Sequence, residues 1–421
     1  MNTRLFSYIR SCPTAYHAAE HTAKILEQAG YTPLAEGEAW ELQAGRGYYT
    51  VRGGSSLIAF RMPQGAVRGF MMTAAHGDSP AFKIKENAEL PDTHCVRLST
   101  EKYGGMLCST WLDRPLSIAG RVTVRTADGF DIRTVDLKAP TALIPNVAIH
   151  MNRKANDGMT YDAAVDMLPL YGGEAGSLRA RVAEAAGCTE AEVLTTDLFL
   201  YNPDAGVEWG DYISAPRLDD LQCAFAALTA FMQAKEKESV PVYCLFDNEE
   251  VGSETKQGAA STFLSDVLSR ICGDADTMRC AVAHSFLVSC DNAHAVHPNH
   301  PEYADKNHTV HMNGGIVLKY NANQRYTTDA VSAAVFRLAC EAAGVEVQMY
   351  ANRANMPGGS TLGNIANTQV SLHTVDIGLA QLAMHSAFET AGAKDTEAMV
   401  RALTALYERD LYATANGYEL K

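Results

Sequence analysis

No apolar run in this 421-residue chain approaches the roughly 20 residues of a membrane-spanning helix. The opening segment, MNTRLFSYIRSCPTAYHAAEHTAKIL, lacks the apolar core of a signal peptide and reads as amphipathic helix. Positive charge is scarce as well: 35 Lys and Arg face 49 Asp and Glu, a net charge of −14. With no basic block to offset it, that balance repels phosphate and argues against nucleic acid as a partner. The ten cysteines form no C-x-x-C pair, and several sit inside apolar runs as reduced core thiols do. Cytoplasm is the expected compartment. Internal repeats and low-complexity tracts are absent too. What is present is ordinary globular material, 47% hydrophobic and 20% charged. That content excludes disorder as the main state and suffices for two domains or one large one.

After a helix near residues 14–29, short strands are expected at 48–52, 56–61 and 69–75. The last, GFMMTAA, is continuously apolar up to His76, the pattern of a strand covered on both faces. Near residue 90 the texture changes. Asp128-Gly129 lies between two partly alternating segments, which signals a hairpin, and turn residues crowd the stretch as far as GEAGSLRARVAEAAG. Residues 90–205 therefore read as a β-rich insertion, leaving residues 1–89 and 206–421 as one discontinuous α/β unit. In its second half Leu221, Ala224, Phe225, Leu228 and Met232 follow helical spacing, so an amphipathic helix is expected over 219–234. Two apolar runs follow, PVYCLF and SFLVSCD, separated by a helix near 258–271. A strand at 315–320, a helix at 329–343, strands at 345–350 and in QVSLHTVDIG, and a terminal helix at 394–407 complete the alternation. Such a pattern implies a central sheet with helices on both faces, binding ligands at the carboxyl ends of its strands.

Three of these strands end in metal-binding residue types: His76, the cluster Asp247-Asn248-Glu249-Glu250, and Asp291. Separate strands would thus deliver ligands to one sheet edge. Asp78 is placed to orient His76, although a turn histidine with a capping aspartate has the same spacing. Adjacent carboxylates repel unless a cation or shared proton compensates them, so one would bind metal while its neighbour takes a proton from water. A solvated acidic loop is the alternative. Asp219, at a helix start, is an N-cap or first-turn charge unless it bridges two metals. Asp291 and His294, with His297 and His300, form either a local metal site or a set of surface groups. His385 in QLAMHSAF reads as helical or close to a helix start, where a packed histidine is the ordinary outcome. Gly358–Gly363 spells G-x-S-x-x-G rather than a nucleophile elbow, and it lacks the lysine of a phosphate-binding loop. A glycine-rich turn offering N–H groups to a substrate suits it better.

Taken in order, TAAHGDSPAFKIK, AIHMNR, SAPRLDDLQCAF, FDNEEVGS, SCDNAHAVHPNHPEY, IVLKYNANQRYTTDA, PGGSTLG and DIGLAQLAMHSAFETAG resemble the M18 family of metallo-aminopeptidases, the aspartyl aminopeptidases. The likeness runs over residues 73–392. It implies a catalytic α/β domain, of the metallo-exopeptidase type, interrupted by a β-rich dimerisation or lid domain. By resemblance, His76, Asp219, Glu250, Asp291 and His385 occupy the metal-ligand positions, with Asp219 bridging two divalent ions. Zinc is the expected metal, with cobalt or manganese as alternatives. Glu249 falls on the general-base position and Asp78 on that of the carboxylate following the first histidine. His150 matches a histidine supplied by a neighbouring subunit's lid, and Lys319 one associated with an acidic substrate side chain. His294 joins them on the substrate side. The resemblance further implies short peptide substrates with N-terminal Asp or Glu, and a homo-oligomer, a tetrahedral dodecamer. Broad or neutral specificity at the same centre is the alternative enzyme reading. A metal-stabilised scaffold without turnover is opposed by the presence of Glu249, and a serine hydrolase would rest on Ser360. The chain departs from the pattern at PGGSTLG, where the eukaryotic form has Cys-Gly-Thr-Thr, and at Asp220, where many relatives have Asn. Both departures fall near the substrate and bear on side-chain preference more than on chemistry.

Overall fold

Four apolar runs, Val240–Phe246, Phe70–His76, Phe286–Cys290 and His373–Leu382, lie side by side and parallel within a 13-stranded sheet. This is seen in a computed structural model, which describes residues Met1–Lys421. Every residue of the first three strands is buried, which is why their sequences show no alternation: helices cover both faces. Antiparallel strands Ser56–Arg61 and Gly47–Arg52 extend one side, and Glu389–Gly392 and Tyr212–Ala215 the other.

On one face the helices Asn2–Ser11, Ala15–Gln28, Leu218–Gln233, Ala330–Ala343 and Asp395–Tyr407 close a core around Phe231, Tyr243, Phe336 and Tyr407. On the other, Phe263–Cys272 and Leu362–Ala366 pack with Phe60 and Phe246. The N-terminal helix of the sequence reading is two helices, broken beside Pro13, whose ring offers no N–H. Helix Ala275–Ala283 was not expected. Ala281 is its one buried residue, so it carries no apolar stripe, and the Asp274 side chain caps it by accepting the Asp276 and Thr277 N–H groups. No helix is long and apolar enough to cross a membrane.

A second, seven-stranded sheet is antiparallel throughout and has its own core around Phe82, Leu98, Trp111 and Ile118. Its expected hairpin is present, with Arg125 paired to Phe130 across Asp128-Gly129. The sheet opens at Ala81, ahead of the texture change near residue 90, and its last strand is Val193–Tyr201.

Because the central strands are parallel, their carboxyl ends share one edge. Phe246 is in register with His76, and Cys290 with Ile377. The chain therefore leaves the sheet at His76, at Asp247 and at Asp291 on the same side, beside the second sheet.

Candidate metal centre

His76 ends its strand fully buried, and its ring is held from one side. Nδ1 lies 3.1 Å from the Asp78 carbonyl oxygen, which fixes a donor there and turns Nε2 inward. His385 uses the same device: its Nδ1 contacts the Gly105 carbonyl oxygen, and its Nε2 faces the same space. The residue is not helical. It sits beyond strand His373–Leu382 with φ at +67°, so the chain turns sharply and aims the ring back over the sheet edge.

Asp219 stands between the two rings. Oδ1 is 3.4 Å from His76 Nε2, and Oδ2 is 3.5 Å from His385 Nε2. Its backbone is not yet helical (φ −82°, ψ 109°), so the residue faces the rings instead of capping the helix. The peptide bond between Asp219 and Asp220 is cis. Burial pushes the Asp219 carboxyl up, but the contacts with His385 and His76 outweigh it and leave Asp219 below the ordinary range.

Past Phe246, Asn248 takes a left-handed conformation, and Glu249 and Glu250 turn back over the edge. Glu250 Oε2 is 3.3 Å from His385 Nε2, whereas Glu249 Oε2 is 4.0 Å from His76 Nε2. The Glu250 side chain is 4% exposed and that of Glu249 14%, so Glu249 is the more open of the pair. Burial pushes Glu249 up to about 8, with Asp291 and Asp78 adding to the rise and His76 opposing it. Asp78 fixes this loop by accepting the Glu249 N–H on Oδ1 and the Glu250 N–H on Oδ2, each at 3.2 Å.

Asp291 leaves its strand beside Lys319, whose Nζ is 3.4 Å from Oδ2. Lys319 is 3% exposed, so it is no surface lysine. Burial would lower its pKa, but Asp291 outweighs that and raises it. Lys319, His294, Tyr326 and Ser360 line an open cavity of about 280 Å³ with Glu249 and Asp291 on its floor. The Ser360 hydroxyl donates to Asn364 Oδ1 at 3.1 Å, not to a histidine. Of the residues singled out in the sequence, His150 stands apart on an exposed loop of the second unit beside exposed Ile149 and Met151, and His297 and His300 are exposed outside the centre, His300 against Glu302.

The donor set suits divalent cations. His76, Asp219, Asp220 and Asp291 present one compact group of ligand atoms, Asp219, Glu250 and His385 a second, and His76, Glu249 and Glu250 a third, each within 4.8 Å. Asp219 Oδ1, Asp220 Oδ1 and Glu250 Oε1 are buried without a hydrogen-bond donor. Buried, unpartnered carboxylate oxygens are costly unless a cation meets them. Mixed imidazole and carboxylate donors are the chemistry of a zinc or related site.

Three groups that sequence reasoning missed complete the centre. Tyr103, from the second sheet, donates its hydroxyl to Asp78 Oδ2 at 2.6 Å, and Gly105 anchors His385. Glu389 accepts the backbone N–H groups of both Asp219 and His385. No local pattern marks these residues, because their partners are distant in sequence.

A family model described as aminopeptidase I zinc metalloprotease (M18) matches residues 8–407. The probable M18 family aminopeptidase 2 of Clostridium acetobutylicum is 42% identical over 410 residues, spanning 93% of this chain and 95% of that protein. The cryo-EM structure of the Ape4 and Nbr1 complex superposes with a TM-score of 0.94 at 31% identity, over 96% of this chain and 85% of the other. The S. cerevisiae mApe1 dodecamer superposes with a TM-score of 0.84 at 27% identity, over 96% of each chain.

Proposed function

The chain belongs to the aminopeptidase I zinc metalloprotease (M18) family and is a metallo-aminopeptidase; from that premise we propose that it works with two divalent ions, zinc first among them, and releases N-terminal Asp or Glu from short peptides. One observation carries the two-ion reading. The Asp219 carboxylate divides its oxygens between His76 and His385, at 3.4 and 3.5 Å, as a ligand shared by two ions would. His76 and Asp291 would complete one ion's shell, and His385 and Glu250 the other's. When bound, such ions supply Lewis acidity that activates water and polarises a carbonyl.

The chain's own residues do the rest. Glu249 lines the cavity, is more exposed than Glu250, and stands 4.0 Å from His76 Nε2 where Glu250 is 3.3 Å from His385 Nε2, so it is the group left free to move protons. It takes a proton from the attacking water and returns it to the leaving amine. Asp78 holds both Glu249 and Glu250 by their backbones, which keeps base and ligand from exchanging places. Lys319, at the cavity wall, would meet the carboxylate of an acidic N-terminal side chain.

The same cation favours a second reading on specificity. Lys319 is already paired with Asp291, so its charge is partly spent, and neutral side chains would then enter the tyrosine-walled cavity equally well. The unit built on the second sheet, expected at 90–205, is taken as the lid, and His150 as its contribution to a neighbour's site. The mApe1 dodecamer supports a homo-oligomer, read here as tetrahedral and cytoplasmic. The experiment is to count metal per subunit after chelation and after zinc return, while following hydrolysis of Asp and Leu reporter substrates. Two ions with a preference for Asp support the reading. A single ion overturns the dinuclear centre, and equal or better cleavage of Leu overturns the acidic preference.

A further inference from the structure

Glu389 is 2% exposed, touches no cation and lies outside every group of ligand atoms in the centre. Its carboxylate is nevertheless fully used. Oε2 accepts the Asp219 backbone N–H at 2.9 Å, and Oε1 accepts the His385 backbone N–H at 2.7 Å. The Gln381 amide reaches Oε1 at 3.3 Å, and its own oxygen accepts from Asn292 Nδ2 at 2.8 Å. Asn292 Nδ2 also lies 3.2 Å from the Leu218 carbonyl. Three segments that each carry a proposed ligand, at 219, 291 and 385, are thereby joined by one buried polar chain.

A buried carboxyl group is expensive to leave unpartnered, and hydrogen bonds from N–H groups are what offset it. Here both N–H donors belong to residues at irregular backbone, one ahead of a helix and one in a turn with positive φ, where no ladder fixes the position. We infer that Glu389 is a positioning residue: it clamps the backbones of Asp219 and His385 so that one ion is held between their side chains. This rests on the two-ion reading above, and it assigns Glu389 no contact with substrate. The His76 side of the centre has added support from Asp78, and it shares with this clamp the Asp219 carboxylate and, through Gln381 and Asn292, the Asp291 segment.

The inference separates the two ions. Glu389→Gln keeps the shape but leaves one acceptor oxygen, and its amide N–H would face a backbone N–H, so one arm of the clamp opens. Glu389→Asp is a methylene shorter and cannot span both donors. Zinc affinity is measured at each site by chelator competition on full-length wild type, E389Q and E389D, with KM for a peptide reporter at saturating zinc. For both variants one ion should bind about 10–100-fold more weakly, as when a group supporting a metal ligand is lost. The other ion, which shares Asp219 but also has His76 held by Asp78, should weaken by a clearly smaller factor, and KM should stay near wild type. Equal weakening of both ions, or a raised KM with both ions bound, would mark a general structural role and overturn the inference, as would two unchanged affinities. A variant that does not fold likewise marks a structural role, unless its counterpart shows the selective loss. Wild-type stoichiometry is read separately: one ion in the wild type refutes the dinuclear reading, whereas two ions with no selective loss refute only Glu389.

Discussion

The Tyr103 hydroxyl donates to Asp78 Oδ2 at 2.6 Å while accepting from Asn248 Nδ2 at 2.9 Å, so one phenol from the second sheet grips two segments of the central sheet's edge. Asp78 in turn holds the loop of Glu249 and Glu250. The second unit therefore reaches the loop of Glu249 and Glu250 through this contact, and the proposed ligand His385 through Gly105.

Tyr103→Phe removes the oxygen and leaves the Asn248 amide without that acceptor. The cost should be about 1–3 kcal/mol of stability, the usual penalty for stranding buried polar groups. Turnover should fall with zinc content unchanged, because no proposed ligand is lost. Thermal unfolding and kcat with metal analysis check this. An unaltered midpoint and kcat would make the contact incidental.

Glu249→Gln keeps the shape of the proposed base but cannot accept a proton. Turnover should drop about 100-fold or more, in the range for removal of a positioned base. Metal content should stay near normal, since Glu250 is the group at 3.3 Å from His385. If Glu249→Gln loses an ion while Glu250→Gln keeps both, the two roles are reversed.

Removing metal should make stability fall with rising pH. Glu249 and Glu389 are both pushed up to about 8 from 4.5, burial being the main cause. His385 rises to about 10 from 6.5 because Asp219 and Glu250 overcome the effect of burial. Each group keeps its proton in the folded, metal-free chain after the unfolded chain has released it. Unfolding then releases protons, so stability declines as pH rises from about 4.5 to about 10. Asp219, held below its ordinary range, has the opposite sign but acts only under more acid conditions. Zinc competes with those protons, so the rise in Tm on adding zinc should be larger at about pH 8 than at about pH 6. Calorimetry at both values, with and without chelator, is the check, and a zinc effect independent of pH would contradict it.

The strands that carry His76 and Asp291 are legible because seven or five consecutive buried residues leave an apolar run ending abruptly at a proposed ligand. The parallel core follows from the same runs. Asp219 and His385 are not legible from periodicity. Each occupies irregular backbone, where neither the 3.6 nor the 2.0 repeat applies, and His385 reads as helical for want of a turn signal. Only the family resemblance points to them. Glu389 is harder still, for it acts on a residue 170 positions away through a backbone N–H that carries no side-chain signature. The helix Ala275–Ala283 escaped because its single buried residue makes no stripe.

The geometry around Lys319 changes how its role must be tested. The sequence leaves it at the end of GIVLK, free to face solvent or the sheet edge, and the fold buries it beside Asp291. Lys319→Met would therefore do two things at once. It would strand the Asp291 charge, disturbing a proposed ligand and lowering activity on every substrate alike. It would also remove the cation that a substrate carboxylate needs. Only the second effect depends on the substrate, so the ratio of kcat/KM for Asp and Leu reporters isolates it. If Lys319 receives the substrate carboxylate, that ratio should fall by the equivalent of about 2–5 kcal/mol, the cost of leaving a buried charge unpaired. If Asp291 already consumes the charge, both substrates should decline together and the ratio should hold. The second outcome would leave Lys319 as the counter-ion of Asp291 and move the specificity of this enzyme to neutral N-terminal residues.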